Sequence, residues 1–249
     1  MLEPLSKVAT TAAMATGAIS SQQADSLNRS AGAVGKALEK LTPENEYYIG
    51  RAVSATLLSQ YKVYDNKALT SYVNIMGQTL SAVSEKPETF GGYHFLVLDT
   101  DEINAFAAPG GFVLVSRGLL RCCKSEDAVA AVLAHEIAHV QYEHGLQAID
   151  KSRMTSALTI LGTEAAKNFG GEELAKLAET FDGSIQDITK TMVQSGYSQK
   201  YEYQADKGAV AIMRAVGYNP SALQQVLSSM SKQVKTEKGF GKTHPDPAK

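Results

Sequence analysis

The chain has 249 residues, 44% of them hydrophobic and 20% charged, a composition that can bury one sizeable core or a core with an appendage. Lys plus Arg (24) nearly balance Asp plus Glu (26), leaving a net charge of −2, so there is no electrostatic case for nucleic acid or an anionic membrane as partner. The longest apolar run falls far short of a bilayer span, which excludes a transmembrane segment in these residues.

Residues 1–41 are rich in Ala, Ser, Gly and Gln, with weak apolar spacing at Leu5, Val8, Ala12 and Ile19, and they predict a loosely packed N-terminal helical extension. Thr10, Thr11 and Thr16 interrupt the only apolar stretch there, so no signal peptide is visible. A chain whose export signal has been removed would start this way, and so would a cytosolic one. The main domain is expected over residues 42–249. Thr42-Pro43-Glu44 opens it as a helix start, with a cap, a proline in the first turn and an acid after it. A helix or helix pair then runs to about Ser84, with Ile49, Val53, Leu57, Val73, Met76 and Leu80 among its apolar positions.

Past Lys86-Pro87 and Gly91-Gly92 the pattern changes. Tyr93 to Leu98 reads as a strand, with His94 a structural histidine within it. Asn104 to Gly111 reads as a turn-rich connection, and Phe112 to Ser116 as a second strand. The adjacent Cys122 and Cys123 would form only a strained bridge with each other and have no matching thiol pair, so both read as packing residues.

The helix that follows carries the chemistry. Ser125 can cap it, Glu126 and Asp127 suit the positive end of its dipole, and Gly145 can end it. From Ala128 to Val140 its only polar side chains are His135, Glu136 and His139. A helix apolar all round is a buried helix, so these three need partners inside the protein. Residues i and i+4 share a face, which sets His135 beside His139; two imidazoles so placed can bind one zinc ion. The neighbouring Glu136 can take a proton from a metal-bound water, the arrangement of an H-E-x-x-H motif. His144 lies roughly 140 degrees round the helix from His139 and reads as a helix-end residue suited to the dipole.

A zinc site with two His needs a third protein ligand. Ser198 to Met213 predicts a helix ended by Gly217 and Pro220, on which Glu202 and Asp206 stand at i and i+4 in line with Ala209 and Met213. Acids in line with apolar residues are not a solvated stripe. Glu202 is the candidate ligand, and Asp206 the candidate acceptor for the free N–H of a ligand imidazole.

Taken with these stretches, the chain resembles the zinc peptidases that include HtpX and the CAAX prenyl proteases, in their bacterial envelope branch. The matching segments are Asn104-Ala-Phe-Ala-Ala-Pro-Gly-Gly, Gly118-Leu-Leu, Leu133-Ala-His-Glu-Ile-Ala-His-Val, Glu202-Tyr-Gln-Ala-Asp206 and Thr243-His244-Pro245, in the family's order. The resemblance implies a gluzincin fold, α+β and mainly helical, with a small β-sheet packed on a buried active-site helix. It implies His135, His139 and Glu202 as ligands of one zinc per chain, Glu136 as general base and Asp206 as an orienting residue. It brings His244 to the active site, either stabilising the transition state or plugging the metal. Gln199 and Gln204 stand where the family usually has an Arg and an acid.

The expected function is a zinc metalloendopeptidase acting on polypeptides, misfolded envelope proteins among them, in the periplasm of a bacterial envelope. Membrane association would come through an N-terminal signal or lipid anchor outside these residues. The strand region at Asn104, Ala105 and Phe106 is the candidate for holding an extended substrate by edge pairing. The rivals are a catalytically silent zinc protein that binds unfolded clients and a helical scaffold with a structural metal. Retention of Glu136 argues against the first, since binding alone needs no base.

Overall fold

The computed structural model describes residues 41–149 and 182–233 of the chain, with side chains of the last helix as far as Ser228. All but the last residue of the extension expected over residues 1–41, and His244, lie outside them. The chain divides into two compact units, residues 1–42 with 149–184 and residues 43–148 with 185–249; every element named below belongs to the second.

Helix α1 (Pro43–Gln60) starts with its proline in the first turn, where a missing N–H costs nothing. Helix α2 (Lys67–Ser81) is capped by Asn66, whose side chain accepts from the Leu69 N–H at 3.0 Å. Strand β1 (His94–Leu98) follows, then β2 (Ala105–Ala108), a short 3₁₀ turn (Pro109–Gly111) and β3 (Phe112–Ser116). Helix α3 (Arg117–Cys122) leads to the long helix α4 (Glu126–Gln141) and a single turn, α5 (His144–Gln147). A π turn (Thr191–Ser195) precedes α6 (Gln199–Val216) and α7 (Ser221–Gln233).

The sheet has the order β1-β3-β2. Strand β3 pairs parallel to β1, from His94 opposite Phe112 to Leu98 opposite Ser116, and antiparallel to β2, from Ala105 opposite Val115 to Ala108 opposite Phe112. The free side of β1 is partly closed by Val63, which bridges to Leu98. Among the described residues β2 pairs with β3 alone, which makes it the edge strand.

Ala105 to Ala108 corrects the expectation of a turn-rich connection. Its Ala-Phe-Ala-Ala sequence has no β-branched residue, so local propensity hides a strand that exists because β3 offers it a partner. Ser116 fixes its start: the hydroxyl donates to the Glu102 carbonyl and accepts from the N–H groups of Asn104 and Leu119, joining β2 to the cap of α3. His94 is exposed and stacked on Phe112, with ring centroids 5.1 Å apart.

Helix α4 runs through the centre, and every residue from Ala128 to Val140 is buried. The sheet, α2, α6 and α7 pack on it, and the shared core includes Leu80, Phe95, Val97, Val115, Val132, Leu133, Ile137, Met213 and Leu223. Each aliphatic side chain so buried contributes about 1.5–3 kcal/mol, so displacing this helix would be costly. The architecture is the expected one: mainly helical, with a small sheet on a buried central helix. Among the described residues no helix is long and apolar enough to cross a membrane.

Candidate metal centre

Ser125 caps α4 by accepting from the Ala128 N–H at 3.2 Å. The same end of the helix is tied to the residues that follow α6, because Glu126 accepts from the Tyr218 hydroxyl at 2.7 Å and Asp127 from the Asn219 N–H at 2.9 Å. Gly217 ends α6 in the left-handed conformation, as its position in the sequence suggested. Helices α4 and α6 therefore run in opposite directions. They touch closely at Gly208, where a methyl group would stand 2.8 Å from the Ala138 Cβ and 2.9 Å from the Tyr142 ring.

This contact brings the two halves of the predicted site together. His135 and His139 project from α4 and Glu202 from α6; one donor atom of each lies within 4.8 Å of the other two, and all three residues are buried. His135 Nε2 is 2.9 Å from His139 Nε2 and 3.4 Å from Glu202 Oε2, while His139 Nε2 is 3.9 Å from Glu202 Oε1. Asp206 Oδ1 lies 3.0 Å from His135 Nδ1, on the opposite edge of the ring. An imidazole that gives its Nδ1 proton to a carboxylate presents a bare lone pair at Nε2.

The donor set fits a metal ion. Tetrahedral ligands at 2.0–2.1 Å from zinc stand about 3.4 Å apart, and the three observed separations bracket that figure. Two imidazole nitrogens and a carboxylate oxygen are what a catalytic zinc site uses, the fourth position being left to water and substrate. The pocket also favours positive charge. Burial alone would lower the His135 pKa, but its bonds to Asp206 and Glu202, with the charges of Glu202 and Glu136, outweigh it and push it up to about 10.

Glu136 is 4% exposed. Burial pushes its carboxyl up to about 7; Glu202 adds to this, and His135 opposes it. A buried carboxyl whose pKa lies near neutrality is suited to taking and returning a proton. Tyr197 lies flat against His139, with centroids 4.5 Å apart, and burial followed by the charges of Glu136 and Glu202 keeps its phenol protonated. Sequence reasoning did not single out this residue. Its signal was a Tyr just before the cap of the ligand-bearing helix.

His144 corrects an expectation. Helix α4 stops at Gln141, four residues before Gly145, and Glu143 adopts a left-handed φ of 57°. That turn resets the chain, so the helical phase which put His144 far round from His139 no longer applies. Instead His144 is fully buried, with its Nδ1 2.9 Å from His139 Nδ1 and its Nε2 3.3 Å from Gln204 Oε1. Burial pushes its pKa down to about 4, so the ring is neutral near pH 7.

Ala105 and Phe106 are on the edge strand β2, with Asn104 immediately before it; Asn104 and Phe106 are buried, and Phe106 packs against Tyr61. Cys122 and Cys123 are not joined in a disulfide. Their Sγ atoms lie 3.4 and 3.6 Å from the Gly118 and Leu119 carbonyls, and burial raises both thiols, Cys123 to about 12. They are packing residues rather than nucleophiles.

Comparison with known proteins agrees with this geometry. The chain is 32% identical over 195 residues to the beta-barrel assembly-enhancing protease of Yersinia pestis, covering 74% of this chain and 38% of that protein. It is 26% identical over 224 residues to the same-named protein of Escherichia coli (strain K12), covering 90% and 45%. The mitochondrial metalloendopeptidase OMA1 of Schizosaccharomyces pombe is 30% identical over 183 residues, covering 72% and 50%. The chain thus spans about two fifths of the length of the bacterial relatives. Residues 67–249 match peptidase family M48, and with a His/His/Glu group between two helices that could hold a metal ion, the chain belongs to that family and carries a metallopeptidase domain.

Proposed function

We propose that the protein is a zinc-dependent endopeptidase in which His135, His139 and Glu202 hold the metal and Glu136 is the general base. The observation that carries this reading is the meeting of three buried donors with a buried carboxyl next to the first of them in sequence. Zinc, when bound, lowers the pKa of a water toward 7 and polarises the scissile carbonyl. Glu136 takes the proton of the attacking water at its carboxylate and delivers it to the leaving amine. Asp206 accepts from His135 Nδ1 and holds that ring with its Nε2 toward Glu202. The edge strand β2 offers its backbone to an extended substrate through Asn104, Ala105 and Phe106.

The relatives named for beta-barrel assembly support a place in protein quality control of the bacterial envelope, on the periplasmic side, with polypeptide substrates there. His244 belongs to the same proposal through the Thr-His-Pro resemblance. If it stabilises the transition state, His244→Ala lowers turnover with zinc retained; if it plugs the metal, the same change raises turnover. Unchanged kinetics would remove it from the site.

The central test is metal analysis of the purified chain together with cleavage of an unfolded casein by the wild type and by Glu136→Gln. One zinc per chain is expected in both, with cleavage lost by on the order of 10²–10⁴-fold in the variant. Near-normal cleavage by Glu136→Gln would place the chemistry elsewhere. A zinc-loaded wild type that cuts nothing would favour the client-binding alternative.

A further inference from the structure

We propose that His144 and Gln204 are positioning residues that set the tautomer of His139 through a relay of neutral groups. In this relay the His144 Nε2–H donates to Gln204 Oε1, the His139 Nδ1–H donates to His144 Nδ1, and the His139 Nε2 lone pair is left for the metal. The inference rests on the reading of His135, His139 and Glu202 as the metal centre.

Two imidazole nitrogens 2.9 Å apart can share only one proton between them, so at the His139–His144 contact one ring donates and the other accepts. The ring pair alone does not decide which. Gln204 does. A carbonyl oxygen only accepts, so the 3.3 Å contact places the His144 proton on Nε2, and a neutral ring has no second proton for Nδ1. His144 is fully buried and faces an uncharged amide, which favours that one-proton form. His139 must then donate from Nδ1, and its Nε2, which faces His135 and Glu202, is bare. Turning the amide over would reverse every step and put a proton on His139 Nε2, closing it to a metal.

Ring stacking holds the relay in place. His144 lies nearly parallel to Tyr201, 20° and 4.6 Å between centroids, and is flanked by Tyr142 and Tyr197. Tyr201 and Gln204 are three residues apart on α6, the helix that also carries Glu202 and Asp206. One helix therefore supplies a ligand, the acceptor for His135, and the amide that backs His144 behind His139. The acceptors differ: His135 has a carboxylate, His139 a neutral imidazole backed by an amide.

The test is zinc affinity, measured by chelator competition on the full chain, with the melting temperature of the metal-free form as the control for folding. His144→Phe keeps a ring to stack but removes the acceptor, and it should weaken zinc binding by roughly ten- to a hundredfold. His144→Asn places an acceptor oxygen near the former Nδ1 position and should recover part of that loss. Gln204→Met keeps the length without the acceptor and should cost up to about tenfold. Nitrogen NMR of the zinc-loaded wild type should find the His139 proton on Nδ1. Unchanged zinc affinity in both His144→Phe and Gln204→Met, at unchanged melting temperature, overturns the relay, as does a His139 proton found on Nε2. In the same assay Glu202→Ala reports on the metal centre itself. If that variant binds zinc like the wild type, the ligand assignment has failed; if it loses zinc while His144→Phe does not, the relay alone has failed.

Discussion

At the scale of single residues, the centre sets one ligand atom each of His135, His139 and Glu202 within 4.8 Å of one another, away from water. Such a cluster is costly unless a cation sits in it. Glu202→Ala should therefore remove most of the zinc, and titration with a chromophoric chelator would show it; full occupancy would refute the assignment. Asp206 is a quarter exposed, and its Oδ1 lies 3.0 Å from His135 Nδ1. Asp206→Asn should keep the site but weaken zinc by roughly ten- to a hundredfold, because an amide oxygen accepts the same proton without the charge that makes the ring a better ligand. An unchanged dissociation constant would mean that Asp206 orients nothing.

At the scale of elements, the site is a contact between α4 and α6, and its tightest point is Gly208. A methyl group there would meet Ala138 and Tyr142 well inside contact distance. Neither neighbour can yield easily: the first is a Cβ fixed to the central helix, the second belongs to the ring beside His144. Gly208→Ala gains helix propensity of about 1 kcal/mol, yet overpacking typically costs 1–3 kcal/mol, and the clash should win. We expect a lower melting temperature and, because α6 is pushed from α4, weaker zinc binding. A variant stabilised by its alanine would show that the helices can part without cost.

At the scale of the whole domain, one lysine ties three distant segments. Lys86 Nζ lies 2.7 Å from Glu46 Oε2 on α1 and 2.9 Å from Glu143 Oε1 in the turn after α4. Glu46 Oε1 in turn accepts from the Gly110 N–H, at the end of the edge strand. Burial alone would lower the pKa of Lys86, but the charge of Glu46 and the bonds to both acids outweigh it, so the folded value stands above 10.5. A lysine raised on folding contributes stability that is fully present below its unfolded pKa and lost as pH climbs through the folded one. Melting curves of wild type and Lys86→Met from about pH 8 to about pH 12 should differ by about 1.5–3 kcal/mol at the low end and converge at the high end. A gap that widens with pH would contradict the pairing.

The sequence by itself determined what local spacing controls. The Ser125 cap, the Pro43 and Gly217 helix signals, the all-apolar face of α4 and the i, i+4 pairs on α4 and α6 follow from the helical repeat, and the structure has each of them. Strand β3 was legible too, because Phe-Val-Leu-Val-Ser carries its own β preference. Tertiary structure decided what depends on partners far along the chain. Strand β2 has little preference of its own and forms against β3. His144 was misplaced because periodicity extrapolates a helix that the left-handed Glu143 breaks, and no sequence pattern reports a turn that only long-range packing stabilises. The pairing of His144 with Gln204, sixty residues away, arises from the way α6 lies along α4. Spacing along one helix fixes which side chains share a face; which face of a second helix meets it is settled by packing the whole core.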